Sequence, residues 1–372
     1  MKIIFSPDTF NLQKFGGISR YFTDLISMLI INKYNVEIPQ LFHRNHFLNN
    51  LSKNQSKSFG FYINLGNYII PPVNIINYLY TIYCFEKYKR SDYKIIFHNT
   101  YYSNNVPKIS NLKNVVTVYD MIHENLGDYY GFKNNLDFIN KKKLSLELAD
   151  HIIAISNTTK KEIIRHYNIS EDKISVIHLN ASKNFVGNSS DIKNKKNHIL
   201  YVGNRAYYKN FILLLECFKK INEFNKDIKL IVYGGEHKSD EEMSFINKNL
   251  LNDYIFFVNG DSSYLNQLYR SSKALVFPSL EEGFGIPILE AISSNCIPIC
   301  SNINVFKEIG KNKLILFDLK DKSDLIKKIL YICDLPEQEY KKQIDISKDL
   351  LDEYTLDKML NKTLDVYRAL LN

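Results

Sequence analysis

Short apolar runs alternate with amphipathic segments from Lys2 to Phe317, and this alternation constrains the fold more than any other feature of the chain. An apolar run of strand length with no polar face is buried on both sides, which a parallel sheet covered by helices provides. Strand, helix and strand in repetition therefore predict an α/β fold of β-α units. In the first half the runs predict strands near Lys2 to Ser6, Val36 to Leu41, Tyr93 to Phe97, Val115 to Val118, His151 to Ile155 and Ile174 to His178. Helices are expected from Ser19 to Ile31, from Leu136 to Leu148, and after Asn157, which reads as a cap.

Residues 180–197, NASKNFVGNSSDIKNKKN, break the pattern: apolar side chains are scarce, and Asn, Ser, Lys and Gly dominate, as in an interdomain connection. Alternation then restarts with strands at His198 to Val202, Lys229 to Tyr233, Tyr254 to Val258, Ala274 to Phe277, Ile297 to Cys300 and Leu314 to Phe317. A chain of 372 residues exceeds what one core organises. The expected domains are 1–182 and 198–350, joined by a linker over 183–197. The tail from Glu337 to Leu371 reads as helical throughout, with its last part, 351–372, packing back on the first domain.

The composition, 45% hydrophobic and 24% charged, is that of a globular chain. A net charge of +8 from 48 basic and 40 acidic residues is modest, and no nucleic-acid module accompanies it, so no nucleic-acid partner is expected. Cys84, Cys217, Cys296, Cys300 and Cys333 are scattered without a CxxC pair, which suits a reducing compartment. With no apolar stretch of spanning length, the expected location is cytoplasmic, soluble or peripheral to a membrane. His43 and His46 form an HxxH with no third ligand at recognisable spacing, and no metal is expected.

The segment Phe277 to Cys300, FPSLEEGFGIPILEAISSNCIPIC, reads as strand, glycine-rich turn, helix and strand. Gly283 and Gly285 let backbone amides approach a ligand, and the helix start that follows, with Pro287 in its first turn, favours an anion. Glu282 and Glu290 lie eight residues apart. An isolated pair of this kind reads as surface acids. Glu290, however, interrupts the apolar IPIL and AI, where a carboxylate needs a hydrogen-bond donor such as a ribose hydroxyl. In YVGNRAYYKNF, Gly203 ends a strand and Arg205 and Lys209 follow; fixed cations in a dry cleft stabilise a departing diphosphate. Gly234, with Gly235, ends another strand in YGGE.

At these residues the chain resembles the retaining glycosyltransferases of family 4, glycosyl transferases group 1, whose signature is a Glu, seven intervening residues and a second Glu. The resemblance implies a GT-B fold, two Rossmann-like domains with parallel sheets facing across a cleft, and an acceptor bound on the first domain. It implies that Glu282 faces the donor sugar, that Glu290 binds the ribose, and that Gly283, Phe284 and Gly285 supply backbone contacts. Arg205 and Lys209 fall in the family's diphosphate loop.

In DTFNLQKFGGISRY, Gly16 and Gly17 form either a flexible turn or, as in similar enzymes, a loop that reaches the donor phosphates or acceptor, with Arg20 beside it. They do not form a dinucleotide fingerprint. In VVTVYDMIHEN, Asp120, His123 and Glu124 end a strand; a His beside a carboxylate suits an acceptor proton, and a satisfied loop histidine is the other reading. Many relatives carry His immediately before this Asp, where this chain has Tyr119. His98 has the same two readings, structural or facing the cleft.

By resemblance the enzyme is a hexosyltransferase, metal-independent and needing no cofactor beyond its donor, a UDP-sugar or GDP-mannose. The acceptor is a glycan or lipid-linked precursor of a surface polysaccharide, lipopolysaccharide or capsule. Alternatives are a sugar-nucleotide epimerase on the same fold and a non-catalytic scaffold that binds sugar nucleotide. The aromatic stretch from Tyr68 to Arg90 either packs as an ordinary helix or touches a membrane surface.

Overall fold

The first eight strands of the computed structural model are β1 (Lys2–Phe5), β2 (Asn35–Glu37), β3 (Phe42–His43), β4 (Phe61–Tyr62), β5 (Ile95–Asn99), β6 (Leu112–Val118), β7 (His151–Ala154) and β8 (Ile174–Val176). Six of them make a parallel sheet of order β2-β1-β5-β6-β7-β8, with β3 and β4 paired apart from it. Ile4 stands opposite Phe97 and Val116 opposite Ile152, so the apolar runs stack in register. The structure describes residues 1–55, 57–63, 71–90, 92–127, 136–181, 184–235 and 238–372. The expected domain boundary at residues 182 and 183, and Tyr68, the start of the expected aromatic stretch, lie outside them.

The crossovers are α1 (Asp8–Leu12), α2 (Gly17–Ile31), α3 (His46–Gln55), α4 (Pro71–Lys89), α5 (Ile122–Leu126), α6 (Leu136–Glu147) and α7 (Asn157–Tyr167). In α2, Phe22, Leu25, Ile26 and Leu29 recur at helical spacing and are all fully buried, forming one stripe against the core. The cap of α7 is Ser156 and not Asn157: the Ser156 hydroxyl accepts from the Thr159 N–H at 3.0 Å, and Asn157 is the first helical residue.

In the second half, β9 (Lys196–Val202), β10 (Lys229–Tyr233), β11 (Ile255–Val258), β12 (Ser272–Phe277), β13 (Ile297–Ser301) and β14 (Ile315–Phe317) form another parallel sheet, of order β11-β10-β9-β12-β13-β14. The helices are α8 (Phe211–Phe224), α9 (Asp240–Lys248), α10 (Ser262–Ser271), α11 (Ile286–Ser293), α12 (Asn304–Gly310), α13 (Lys322–Asp334) and α14 (Glu337–Lys348). Counted from its own first strand the order is 3-2-1-4-5-6, the doubly wound arrangement, in which ligands bind beyond the carboxyl ends of the strands where the order reverses. Here that reversal lies between β9 and β12.

The expected continuous tail helix is broken. After α14 the chain turns before α15 (Leu356–Leu371), because Leu350 and Tyr354 are drawn inward and the Tyr354 hydroxyl donates to the Ile309 carbonyl at 2.9 Å. Two compact units result: one holds Met1–Glu124, residues 136–179 and Leu356–Asn372, and the other holds Asn180–Thr355 with residues 125–127. Within the first unit α15 packs on α2, and Tyr367 is fully buried with its hydroxyl 2.6 Å from His98 Nδ1. The other ring nitrogen of His98 lies 2.8 Å from the Thr117 hydroxyl. His98 is thus a buried, doubly bonded core residue.

Candidate functional site

Two loops of the second unit meet at the switch point. The loop after β9 carries Gly203, Arg205 and Lys209, and the loop after β12 carries Ser279, Glu282 and the glycines. The Leu280 N–H donates to the Tyr208 carbonyl at 2.7 Å and laces the two together. The Lys209 ammonium donates to Glu282 Oε1 at 2.5 Å, and the Ser279 hydroxyl donates to the same oxygen at 2.7 Å. The ammonium also lies 4.9 Å from the centre of the Phe277 ring, a second favourable setting for its charge. Ser301, from β13, donates to the Ser279 carbonyl at 2.5 Å and pins that loop to the sheet.

Arg205 takes different partners. Its Nε donates to both Glu242 oxygens at 3.0 Å, its Nη1 donates to the Gly234 carbonyl at 2.8 Å, and its side chain is 4% exposed. From the sequence, Arg205 and Lys209 are expected to act together on a departing diphosphate; the structure gives each cation its own carboxylate. A guanidinium this dry needs a counter-charge, and Glu242 provides one from the first turn of α9, where it also forms a reciprocal capping box with Ser239. The glycines after β10 make room. A Cβ on Gly235 would come within 2.4 Å of Arg205 Nη1, and one on Gly234, where φ is +92°, would sit 3.1 Å from the Gly203 carbonyl oxygen.

The turn from Glu282 enters α11 through Gly285, whose φ of +107° favours glycine, and Pro287 lies in the first turn. Phe284 points inward, edge-on to Tyr354 at 5.5 Å, so it anchors the turn. Gly283 is buried beside it. Glu290, on the second turn of α11, is 2% exposed and accepts from the Tyr269 hydroxyl at 3.1 Å. Tyr269 is therefore the donor that a carboxylate in an apolar helix requires.

In the first unit, Gly16 precedes α2, and the Gln13 side chain occupies the place where a Cβ on Gly16 would stand, accepting from the Ser19 N–H at 3.1 Å. Gly17 is the exposed first residue of α2. Asp120 follows β6, and its Oδ1 accepts from the Ile122 N–H at 3.3 Å. His123 stacks on Phe138 at 4.3 Å; burial holds its imidazole below the ordinary value, opposed by the Asp120 charge. Beneath them lies Lys142, fully buried, donating to the Asp120 carbonyl at 2.6 Å and to Glu124 at 3.0 Å, with the Tyr167 hydroxyl on the same carboxylate.

Ser279, Glu242, Tyr269 and Lys142 are not legible as site residues in the sequence. A signal exists for two of them. Ser239 and Glu242 have capping-box spacing, and Lys142 falls three and four residues before Ser145 and Leu146 on the buried stripe of α6, an unusual place for a lysine.

Comparisons with known proteins agree with this architecture. A family model described as Glycosyl transferases group 1 matches residues 182–349, and one described as Glycosyltransferase Family 4 matches residues 15–179. The O-antigen chain mannosyltransferase RfbU of Salmonella typhimurium is 30% identical over 196 residues, 52% of this chain, which spans about half (54%) of that protein's length. The O-antigen chain mannosyltransferase B of Escherichia coli is 24% identical over 100% of both chains. Among solved structures, sucrose-phosphate synthase from Thermosynechococcus elongatus superimposes with a TM-score of 0.77 at 17% identity, covering 100% of this chain and 99% of that one. Anabaena HepE in complex with UDP and glucose gives 0.74 at 13% identity, covering 99% of each. WaaG, a glycosyltransferase of lipopolysaccharide biosynthesis, gives 0.71 at 14% identity, covering 98% of this chain and 99% of its own. The shared fold is GT-B, with parallel sheets in two domains.

Proposed function

The chain belongs to the family 4 glycosyltransferases, glycosyl transferases group 1, and from that premise we propose that it moves a hexose, mannose or a similar sugar, from a nucleotide diphosphate donor to a glycan or lipid-linked acceptor in surface polysaccharide synthesis. The names of the relatives support the pathway and the sugar, since two of them are O-antigen chain mannosyltransferases. UDP in the HepE complex supports a UDP- or GDP-sugar as donor, and the reaction we propose uses no metal and no further cofactor.

The observation that carries the proposal is the Lys209–Glu282 pair, 2.5 Å apart beyond the carboxyl ends of two adjacent strands at the switch point. Glu282 faces the donor sugar and holds Lys209 in place for the diphosphate. When the bond from the anomeric carbon to the phosphate oxygen breaks, its electron pair goes to the phosphate, and the ammonium and the start of α11 stabilise the added charge without having to reorganise. Arg205 adds positive potential from its place on Glu242. Backbone at Gly203, Gly234, Gly283, Phe284 and Gly285 borders the nucleotide, and Glu290 accepts from the ribose with Tyr269 as its other partner.

In a retaining transfer the acceptor oxygen bonds to the face that the phosphate leaves. The departing phosphate is then close enough to take the hydroxyl proton, and no strong protein base is needed. Asp120 and His123 position the acceptor hydroxyl, while Gly16 and Gly17 border the acceptor and the donor phosphates.

A thermal-shift panel of UDP, GDP, ADP and their sugar conjugates tests this reading. One nucleotide series should stabilise the protein strongly, because a ligand bound only by the native state raises apparent stability. Glu290→Ala should reduce that shift. A panel in which no nucleotide moves the transition would overturn the reading.

A further inference from the structure

Residues 185–195 follow the passage of the chain into the second unit at Asn180, and they fasten together the ends of the two helices that carry Glu290 and its tyrosine partner. On α11, the Gly187 N–H donates at 2.7 Å to the Ser293 carbonyl, one of the last four of that helix, which have no partner within it. The Asn295 side chain donates to the Asn188 carbonyl at 2.9 Å. A Cβ on Gly187 would come within 2.9 Å of the Ser294 carbonyl carbon, so this approach requires glycine. On α10, the Lys195 ammonium donates to the Tyr269 and Ser272 carbonyls at 3.1 and 2.8 Å, a cation at the negative end of the helix. Asp191 accepts from Arg270 Nη2 and Nε at 2.7 and 2.8 Å and from the Asn188 N–H at 2.6 Å. Phe185 is buried and meets the Tyr269 ring edge-on at 5.7 Å.

Tyr269 is thereby held at its ring by Phe185, at its carbonyl by Lys195, and through the next residue by Asp191. These contacts place its hydroxyl, which stands 3.1 Å from Glu290 Oε2. A donor on one oxygen of a carboxylate fixes the plane of the group, and so the direction in which the other oxygen accepts. That direction matters for Glu290, since a buried carboxylate that misses its second donor loses far more than an exposed one. The same segment also grips the end of α11, on which Glu290 itself lies. The geometry of this carboxylate therefore depends on residues 185–195, which lie outside the proposed nucleotide contacts.

We infer that Phe185, Asp191 and Lys195 are positioning residues for the ribose-binding carboxylate: they set Tyr269, and Tyr269 aims Glu290 at the ribose hydroxyls. The inference rests on the proposed donor site, and its test separates the two. UDP, GDP and their 2′-deoxy forms are titrated calorimetrically into the full chain, at a temperature where melting curves show wild type and every variant fully folded. Wild type should prefer the ribonucleotide of one series over its 2′-deoxy form about tenfold or more, the effect of one hydrogen bond to a charged group. Tyr269→Phe, Lys195→Met and Asp191→Asn should each reduce that preference to about threefold or less, while affinity for the 2′-deoxy form changes less than about twofold. Lys195→Met combined with Tyr269→Phe should lose no more than Tyr269→Phe alone, since both act through one hydroxyl; additive losses contradict this. A purely structural role would lower the melting temperature and leave the preference of the folded protein intact. That result, or a Tyr269→Phe variant that keeps the preference, overturns the inference and leaves the donor site standing. Wild type without a ribose preference overturns it together with the assignment of Glu290, and wild type that binds neither nucleotide overturns the donor reading as well.

Discussion

Removing one member of a dry ion pair leaves the other charged where water cannot reach it, which costs more than the pair itself contributes. The two pairs of the candidate site respond differently to that rule. Glu242→Gln strands the Arg205 guanidinium and should destabilise the second unit by about 3–5 kcal/mol, measured by urea unfolding. Lys209→Ala leaves Glu282 with the Ser279 hydroxyl and an 11% exposed side chain, so stability should fall less, while transfer falls about 100-fold or more. A variant that lost stability and kept its rate would remove Lys209 from the chemistry. His98 gives a pH dependence. Burial depresses its pKa to about 3, whereas the unfolded imidazole titrates near its ordinary value of about 6.5. Between these values the unfolded chain binds more protons, so stability falls as pH drops below about 6.5, by up to about 1.4 kcal/mol per pH unit. In melting curves from pH 7.5 to 5, His98→Gln should flatten this slope; an unchanged slope would contradict the assignment. At this scale the sequence names Glu282, Glu290, Arg205 and Lys209, because each lies in a short local motif. It does not name Glu242 as the partner of Arg205, because 37 residues separate them and only the tertiary fold brings α9 to the loop after β9.

Strand positions are legible because a parallel strand buried on both faces is a plain apolar run. Nearly all are found within a few residues of their expected places, and the differences are physical. β5 starts at Ile95 and not Tyr93, since pairing begins only where Ile95 meets Lys2. The cap of α7 falls one residue earlier than Asn157 because the Ser156 hydroxyl reaches the Thr159 N–H. Ser156→Ala should therefore cost about 1 kcal/mol, and Asn157→Ala a few tenths at most, as read by chemical unfolding. The tail looks continuous because its composition is helical from end to end; the inward pull of Leu350 and Tyr354 is tertiary and leaves no local mark. α4 is ambiguous for the opposite reason, since an apolar helix reads the same whether both faces or only one is covered.

For the molecule as a whole, alternation in the sequence implies parallel sheets but not their strand order, so the switch point between β9 and β12 becomes visible only in the structure. The chain also returns to its beginning: α15 belongs to the first unit, where Met359, Leu360, Leu364 and Tyr367 are buried. Deleting residues 356–372 should lower the melting transition of the first unit in calorimetry while nucleotide binding survives, because the proposed nucleotide contacts come from the second unit. In the proposed function the second unit holds a donor diphosphate through Lys209 at that switch point. Calorimetric titration of the preferred nucleoside diphosphate and its parent nucleoside, on wild type and on Lys209→Ala, tests it most directly. The substitution should weaken the diphosphate at least about tenfold, as loss of one charge-assisted contact should, and leave the nucleoside unchanged. Equal affinity of both proteins for the diphosphate would contradict it.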